Sequence, residues 1–260
     1  MTRFLLVNPQ SGRRRSSADD LVRAARERGI ETHVLRRQEE PAAIVPEGVT
    51  ALGVAGGDGT LAAVAEVALG RDLPFVCIPF GTRNHFARDL GVDRGDAVES
   101  LTAFGGAERR IDVGRANGRL FLNNVSLGLY ARLVHRREHH RRRREALARL
   151  RAWLIVLRHR EPLGIRIDGR PEETRLVLVA NNAYVLEPPT IGARERLDEG
   201  LLHVYVVRAG VDERTGTQFV VDAAAGRLAA AVDGEPNVLE TPIEFRIEPR
   251  ALRVLVPPGV

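Results

Sequence analysis

Over the first hundred residues the apolar positions fall in short unbroken runs, "RFLLV", "THVL", "ALGVA" and "PFVCIP", separated by stretches of good helix formers that begin near Ser16, Thr60 and Arg94. Runs without alternation fit strands buried on both faces, and strands alternating with helices imply a parallel sheet. Ligands of such sheets sit outside the carboxyl ends of the strands. After Arg110 the pattern changes to strands punctuated by turn signals. "RRIDVGRANGRLFLNNVSLG" carries Asn117-Gly118 and "GIRIDGRPEETRLVLVANN" carries Asp168-Gly169, and later come "LLHVYVVR", "TQFVVDAA", "RLAAAVDGE", "IEFRIE" and "ALRVLVP". Short strands with such turns predict an antiparallel sandwich or flattened barrel. The reading is therefore α/β plus β: a Rossmann-like three-layer domain over 1–110, then a β-sandwich domain over 111–250 with a helical insertion at about 131–158, and a tail, 251–260, that packs back on the first domain. The cleft between the two domains is the expected active site.

Three polar turns follow the ends of the early strands: "VNPQSG", "GGDGT" and "PFGTRN". In the second, Gly56, Gly57 and Gly59 allow another molecule to approach the backbone closely, and the helix opening at Thr60 offers free N–H groups to an anion. Asp58 in such a turn repels phosphate unless a divalent cation lies between them, which points to Mg²⁺ with a polyphosphate. The simpler alternative is a tight turn with Asp58 as helix N-cap. A dinucleotide fingerprint also fits the glycines, but no acidic residue for the ribose lies between Leu73 and Arg88.

All 39 basic residues are arginine. The absence of lysine excludes a P-loop lysine and a Schiff base, so phosphate must be held by backbone, arginine or metal. The one cysteine, Cys77, precludes an internal disulfide and fits a reducing cytoplasm. The N-terminal apolar run is too short for a signal peptide, and nothing approaches the length of a membrane span. Ten arginines against two glutamates between His135 and Arg160 hold more than the whole formal charge of +5. Leu147, Leu150, Leu154 and Leu157 form a stripe opposite them, so this segment is either a solvated helix or a face for anionic lipid. Nucleic acid is disfavoured, because only Trp153 interleaves the arginines.

"VNPQSG", "GGDGTL", "PFGTRNHFARDLG", "IDVGRANGRLFLNNVSLG", "LDEGLLHVYV" and "VDGE" occur in an order and spacing that resemble the diacylglycerol kinase-like lipid kinases, which include the sphingosine kinases. The resemblance spans nearly the whole chain. It implies ATP- and Mg²⁺-dependent transfer of the γ-phosphate to a lipid hydroxyl such as that of diacylglycerol. Carried over, Asn8, Ser11, Gly56, Gly57, Asp58, Gly59, Thr60, Thr82 and Asn84 line the nucleotide, with Asp58 toward the metal-bound phosphates. The resemblance makes Glu235 the base for the hydroxyl and Asp233 its neighbour or metal contact. A second, structural Mg²⁺ would use Glu199 and backbone oxygens of Arg196 and Leu201.

Two departures stand out. Where the family usually reads "GTGND" this chain has Gly81-Thr82-Arg83-Asn84-His85, and Glu199 stands where Asp is usual. The first removes a link between nucleotide site and structural metal, and the second loosens that site. Two rivals follow: an NAD kinase, which shares "GGDGT", and a nucleotide- or lipid-binding regulator without catalysis. The expected partners are ATP, a lipid with a free hydroxyl and an anionic membrane surface, at the inner face of the cytoplasmic membrane. Nucleic acid is not among them, and oligomeric state, a homodimer included, is left open.

Overall fold

The computed structural model describes residues 2–11, 17–81, 84–92, 95–128, 162–186, 192–208 and 210–259. The chain divides into two units, Met1–Val113 with Tyr184–Glu199 and Glu248–Val260, and Gly114–Ala183 with Gly200–Ile247. The expected basic helix at 131–158 lies outside the described residues.

In the first unit, β1 (Thr2–Val7), β2 (Ile30–Val34), β3 (Val49–Gly56) and β4 (Phe75–Pro79) are parallel, in the order β2-β1-β3-β4. The last residues of β16 (Ile243–Val256) extend this sheet, Val254 and Leu255 pairing in parallel with Phe75 and Val76. Every residue from Phe4 to Val7 and from Phe75 to Pro79 is buried, so both faces are covered. On one face Leu5, Val7, Ala55, Val76 and Ile78 pack with Leu21, Ala24 and Ala25 of α1 (Ala18–Glu27) and with Leu101 and Phe104. On the other, Phe75 meets Phe86 of α4 (His85–Asp89), ring centroids 6.4 Å apart. Ser17 starts α1 with a full capping box to Asp20, which is why the helix begins there. A short α2 (Pro41–Ile44) precedes α3 (Asp58–Gly70), whose buried stripe is Leu61, Val64, Ala65 and Ala68. The helix expected to begin near Arg94 is instead a 3₁₀ segment, Glu99–Gly105, entered through Asp96, whose carboxylate accepts the N–H groups of Val98 and Glu99.

In the second unit, β7 (Asn124–Gly128), β10 (Leu176–Asn181), β11 (Leu202–Val207), β12 (Val211–Gly216), β14 (Arg227–Val232) and β15 (Glu235–Glu240) form an antiparallel sheet in the order β12-β11-β10-β7-β14-β15. A second layer comes from the first residues of β16, with β13 (Gln218–Ala223), β8 (Ile165–Ile167) and β9 (Arg170–Glu172), and with β6 (Arg119–Phe121) paired to the end of β5 (Ala107–Ala116). Inward-facing Val125, Leu127, Val177, Val179, Val204 and Ala230 of the first layer share one core with Ile165, Phe219, Val221, Ile243 and Phe245 of the second, which makes this unit a sandwich. Its hairpins turn at Asn117-Gly118, Asp168-Gly169 and Asp233-Gly234, each with positive φ at both residues, as a twisted two-residue hairpin requires.

Candidate functional site

The phosphate-turn candidates converge in the first unit. Helix α3 has Gly57 as its N-cap with no side-chain hydrogen bond capping it, and Asp58 is its first helical residue rather than the cap. The Thr60 and Leu61 N–H groups already donate to the Gly57 carbonyl, at 2.9 and 3.0 Å, so the helix dipole and the Gly59 N–H are what this end offers an anion. Asn8 Nδ2 donates to Thr60 Oγ1 at 2.9 Å, and the Gly57 N–H donates to Ser11 Oγ at 3.2 Å, so the turn after β1 is sewn onto the turn after β3. The Asp58 charge is felt inside the sheet: burial first, then that carboxylate, pushes the Cys77 thiol far above its ordinary range.

The third turn joins them. Asn84, buried and in the left-handed region at φ 46°, closes a ring with Gly81: the Gly81 N–H donates to Asn84 Oδ1 at 2.8 Å and Asn84 Nδ2 donates to the Gly81 carbonyl at 2.9 Å. A Cβ on Gly81 would lie 2.9 Å from Gly57 Cα, so only glycine lets these two turns touch. Asn8, Ser11, Gly56, Gly57, Asp58, Gly59, Thr60 and Asn84 therefore form one cluster; Thr82 lies outside the described residues. Oxygen atoms beside a helix N-terminus without a side-chain cap suit metal-bound phosphate, and Asp58 is the carboxylate among them that could hold an ion.

In the second unit, Asp233 and Glu235 play different structural parts. The Asp233 carboxylate, its residue 7% exposed, accepts the N–H groups of Leu122 at 2.8 Å, Asn123 at 2.7 Å and Asn124 at 3.1 Å. It is an anchor for the hairpin between β14 and β15. Glu235 follows two residues later on β15 and is exposed.

The residues proposed for a second metal divide between the units: Arg196 and Glu199 belong to the first and Leu201 to the second. The Leu201 carbonyl accepts the Asn182 N–H at 3.1 Å. In the first unit two neighbouring carboxylates, those of Asp198 and Asp112, face a cation or backbone. Asp198 lies 3.2 Å from Arg196 and 3.3 Å from Arg250, and Asp112 accepts the Arg250 N–H at 2.8 Å. A cavity of about 460 Å³ beside this loop is lined by Arg109, Arg110, Arg196 and Arg250 together with Asp89, Glu195 and Asp198. Among the described residues no three His, Cys, Asp or Glu side chains are grouped to hold a metal. A hard dication needs oxygen ligands with charge to spare, and the Asp198 carboxylate is already paired with Arg196 and Arg250.

Sequence reading missed Asp89 and Arg194. Arg194 Nε lies 2.8 Å from Asp89 Oδ2 with both side chains essentially inaccessible, and Arg88 Nε donates to Asp89 Oδ1 at 2.7 Å. Only the oddity of an arginine between "IGA" and "ERLDEG" could have signalled the pair. No helix among the described residues is long and apolar enough to cross a membrane.

Residues 2–116 match the diacylglycerol kinase catalytic domain family. A protein of Pseudomonas aeruginosa described as a probable lipid kinase, YegS-like, is 31% identical over 274 residues, covering 92% of this chain and 89% of its own. A diacylglycerol kinase of Bacillus subtilis is 38% identical over 84 residues, which is 31% of this chain and 28% of that one. The crystal structure of a diacylglycerol kinase from Bacillus anthracis superposes with a TM-score of 0.69 over 100% of this chain and 98% of that chain at 19% identity, a likeness of fold.

Proposed function

The chain belongs to the diacylglycerol kinase-like lipid kinases, phosphotransferases with an alcohol group as acceptor, and from that premise we propose that it moves the γ-phosphate of ATP to the hydroxyl of a lipid such as diacylglycerol. The observation that carries the reading is Asp58 on the first turn of a helix whose N-terminus no side chain caps, beside the joined turns of Asn8, Ser11 and Gly81. The Gly59 N–H faces the nucleotide phosphates, with Asn8, Ser11, Gly56, Gly57, Thr60 and Asn84 around it; the resemblance adds Thr82, and Asp58 would hold Mg²⁺. The ion would neutralise charge on the transferring phosphate, the main chemical demand of phosphoryl transfer.

Glu235, exposed and so able to reach a substrate, takes the proton of the attacking hydroxyl, while Asp233 keeps the hairpin that carries it in register. The arginine-rich segment from His135 to Arg160 draws the enzyme to anionic headgroups. The test is transfer of label from γ-labelled ATP, with and without Mg²⁺, to diacylglycerol, to a total lipid extract and to NAD. Labelled lipid supports the proposal. Labelled NAD would make the chain an NAD kinase, and Mg²⁺-dependent nucleotide binding without transfer to any acceptor would make it a regulator.

A further inference from the structure

The loop that carries residues 192–199, in which a cation was expected at Arg196 and Glu199, is held near its start by the guanidinium of Arg194. At its start the Gly192 N–H donates to the Val185 carbonyl and the Val185 N–H donates to the Ala193 carbonyl, both at 2.8 Å. Arg194 then turns inward: its side chain is 0% exposed and that of Asp89 1%. The Tyr184 ring lies beside the same guanidinium, 5.9 Å from its centre. Arg88 grips the other oxygen of Asp89 and also donates to the Gly192 carbonyl, so two arginines and one carboxylate tie the loop to the last turn of α4. Guanidinium suits this place, being planar, permanently charged and more weakly hydrated than an ammonium.

We propose that Arg194 does in this chain the tethering that a second divalent cation would do, so that the first unit folds without structural metal and Arg194 is a positioning residue for the nucleotide turn. The route is short. Asp89 ends the helix that Asn84 begins, Asn84 clamps Gly81, and Gly81 lies on Gly57. The part concerning nucleotide rests on the function proposed above; the part concerning metal does not.

The experiment uses the purified full chain with Arg194→Met and the milder Arg194→Lys. In the absence of nucleotide, the wild type should melt at the same temperature in excess chelator and in excess Mg²⁺. Arg194→Met should melt about 5–10 °C lower in both, since Asp89 keeps only Arg88. Arg194→Lys keeps charge but loses the planar fork, and should raise the Michaelis constant for ATP roughly tenfold while leaving kcat within about twofold, the pattern of a displaced binding turn. A chelator that lowers the wild-type melting temperature as far as Arg194→Met does would overturn the metal-free tether. An unchanged constant for ATP in a folded, active Arg194→Lys would overturn the positioning role. Absence of any kinase activity in the wild type would count against the proposed function, and the melting comparison would still decide the tether.

Discussion

Removing the buried Asp233 carboxylate should weaken the second unit strongly. Three buried or half-buried backbone N–H groups, those of Leu122, Asn123 and Asn124, point at it within 3.1 Å. Asp233→Ala deletes three hydrogen bonds to a charged acceptor and strands the donors, at about 1–3 kcal/mol each where water cannot replace the oxygens. It also puts alanine at φ 47°, at a cost of about 1 kcal/mol. Some water reaches a residue that is 7% exposed, so a total near the lower end, about 4 kcal/mol, is expected. Asp233→Asn keeps the turn conformation and one oxygen for Asn123 and Asn124, but turns an amide toward the Leu122 N–H, and should lose about 1–3 kcal/mol. Urea unfolding followed by circular dichroism ranks the variants, fitted without assuming that both units unfold together. Glu235→Gln is the control: at an exposed position the unfolding midpoint should not move, while turnover falls by about two decades or more with nucleotide affinity retained. Wild-type stability in Asp233→Ala together with complete loss of turnover would show that the carboxylate works on substrate or metal and does not anchor the hairpin.

Three further outcomes are expected. Asp58→Ala should fold normally and lose about two or more decades in turnover, and near-normal turnover in a folded protein would remove Asp58 from the phosphate site. Gly81→Ala forces Gly57 and the Asn84 clamp apart, so ATP affinity measured by calorimetry should fall by roughly tenfold or more; unchanged affinity would mean that the contact of these turns has no bearing on nucleotide. Replacing Arg141, Arg142, Arg143 and Arg144 by Gln should weaken sedimentation with anionic vesicles, as added salt should in the wild type, while activity on a short-chain soluble acceptor stays the same; equal binding at low salt would leave the segment without a membrane role.

What could be read from the sequence was what local chemistry decides. Strands β1, β3 and β4 are legible because burial on both faces demands unbroken apolar runs, and the turns at Asn117-Gly118 and Asp168-Gly169 because few other pairs accept positive φ twice. Strand β12, "VDERTG", was not legible: it is an edge strand paired to β11 with mostly exposed side chains, so its pattern carries no apolar period. "IEFRIE" and "ALRVLVP" read as two strands around Pro249-Arg250, yet β16 runs through both, with Arg250 at φ 50° and its N–H held by Asp112. Within the site, turn residues declared themselves through glycine and asparagine. The Asp89–Arg194 pair did not, because its partners lie far apart along the chain and each alone resembles a surface charge.

Strand β16 also bears on how the chain is made. Its final residues complete the first unit's sheet along β4, and Val254 and Val256 are fully buried there. During synthesis the segment through Val113 emerges first, carrying β4 with an open, apolar edge, and the whole second unit must be produced before the strand that covers that edge appears. The nascent first unit is thus a sheet with a vacancy, the kind of exposed edge that recruits foreign strands. Supplying the β16 sequence as a separate peptide to a released fragment is a direct way to watch that vacancy fill.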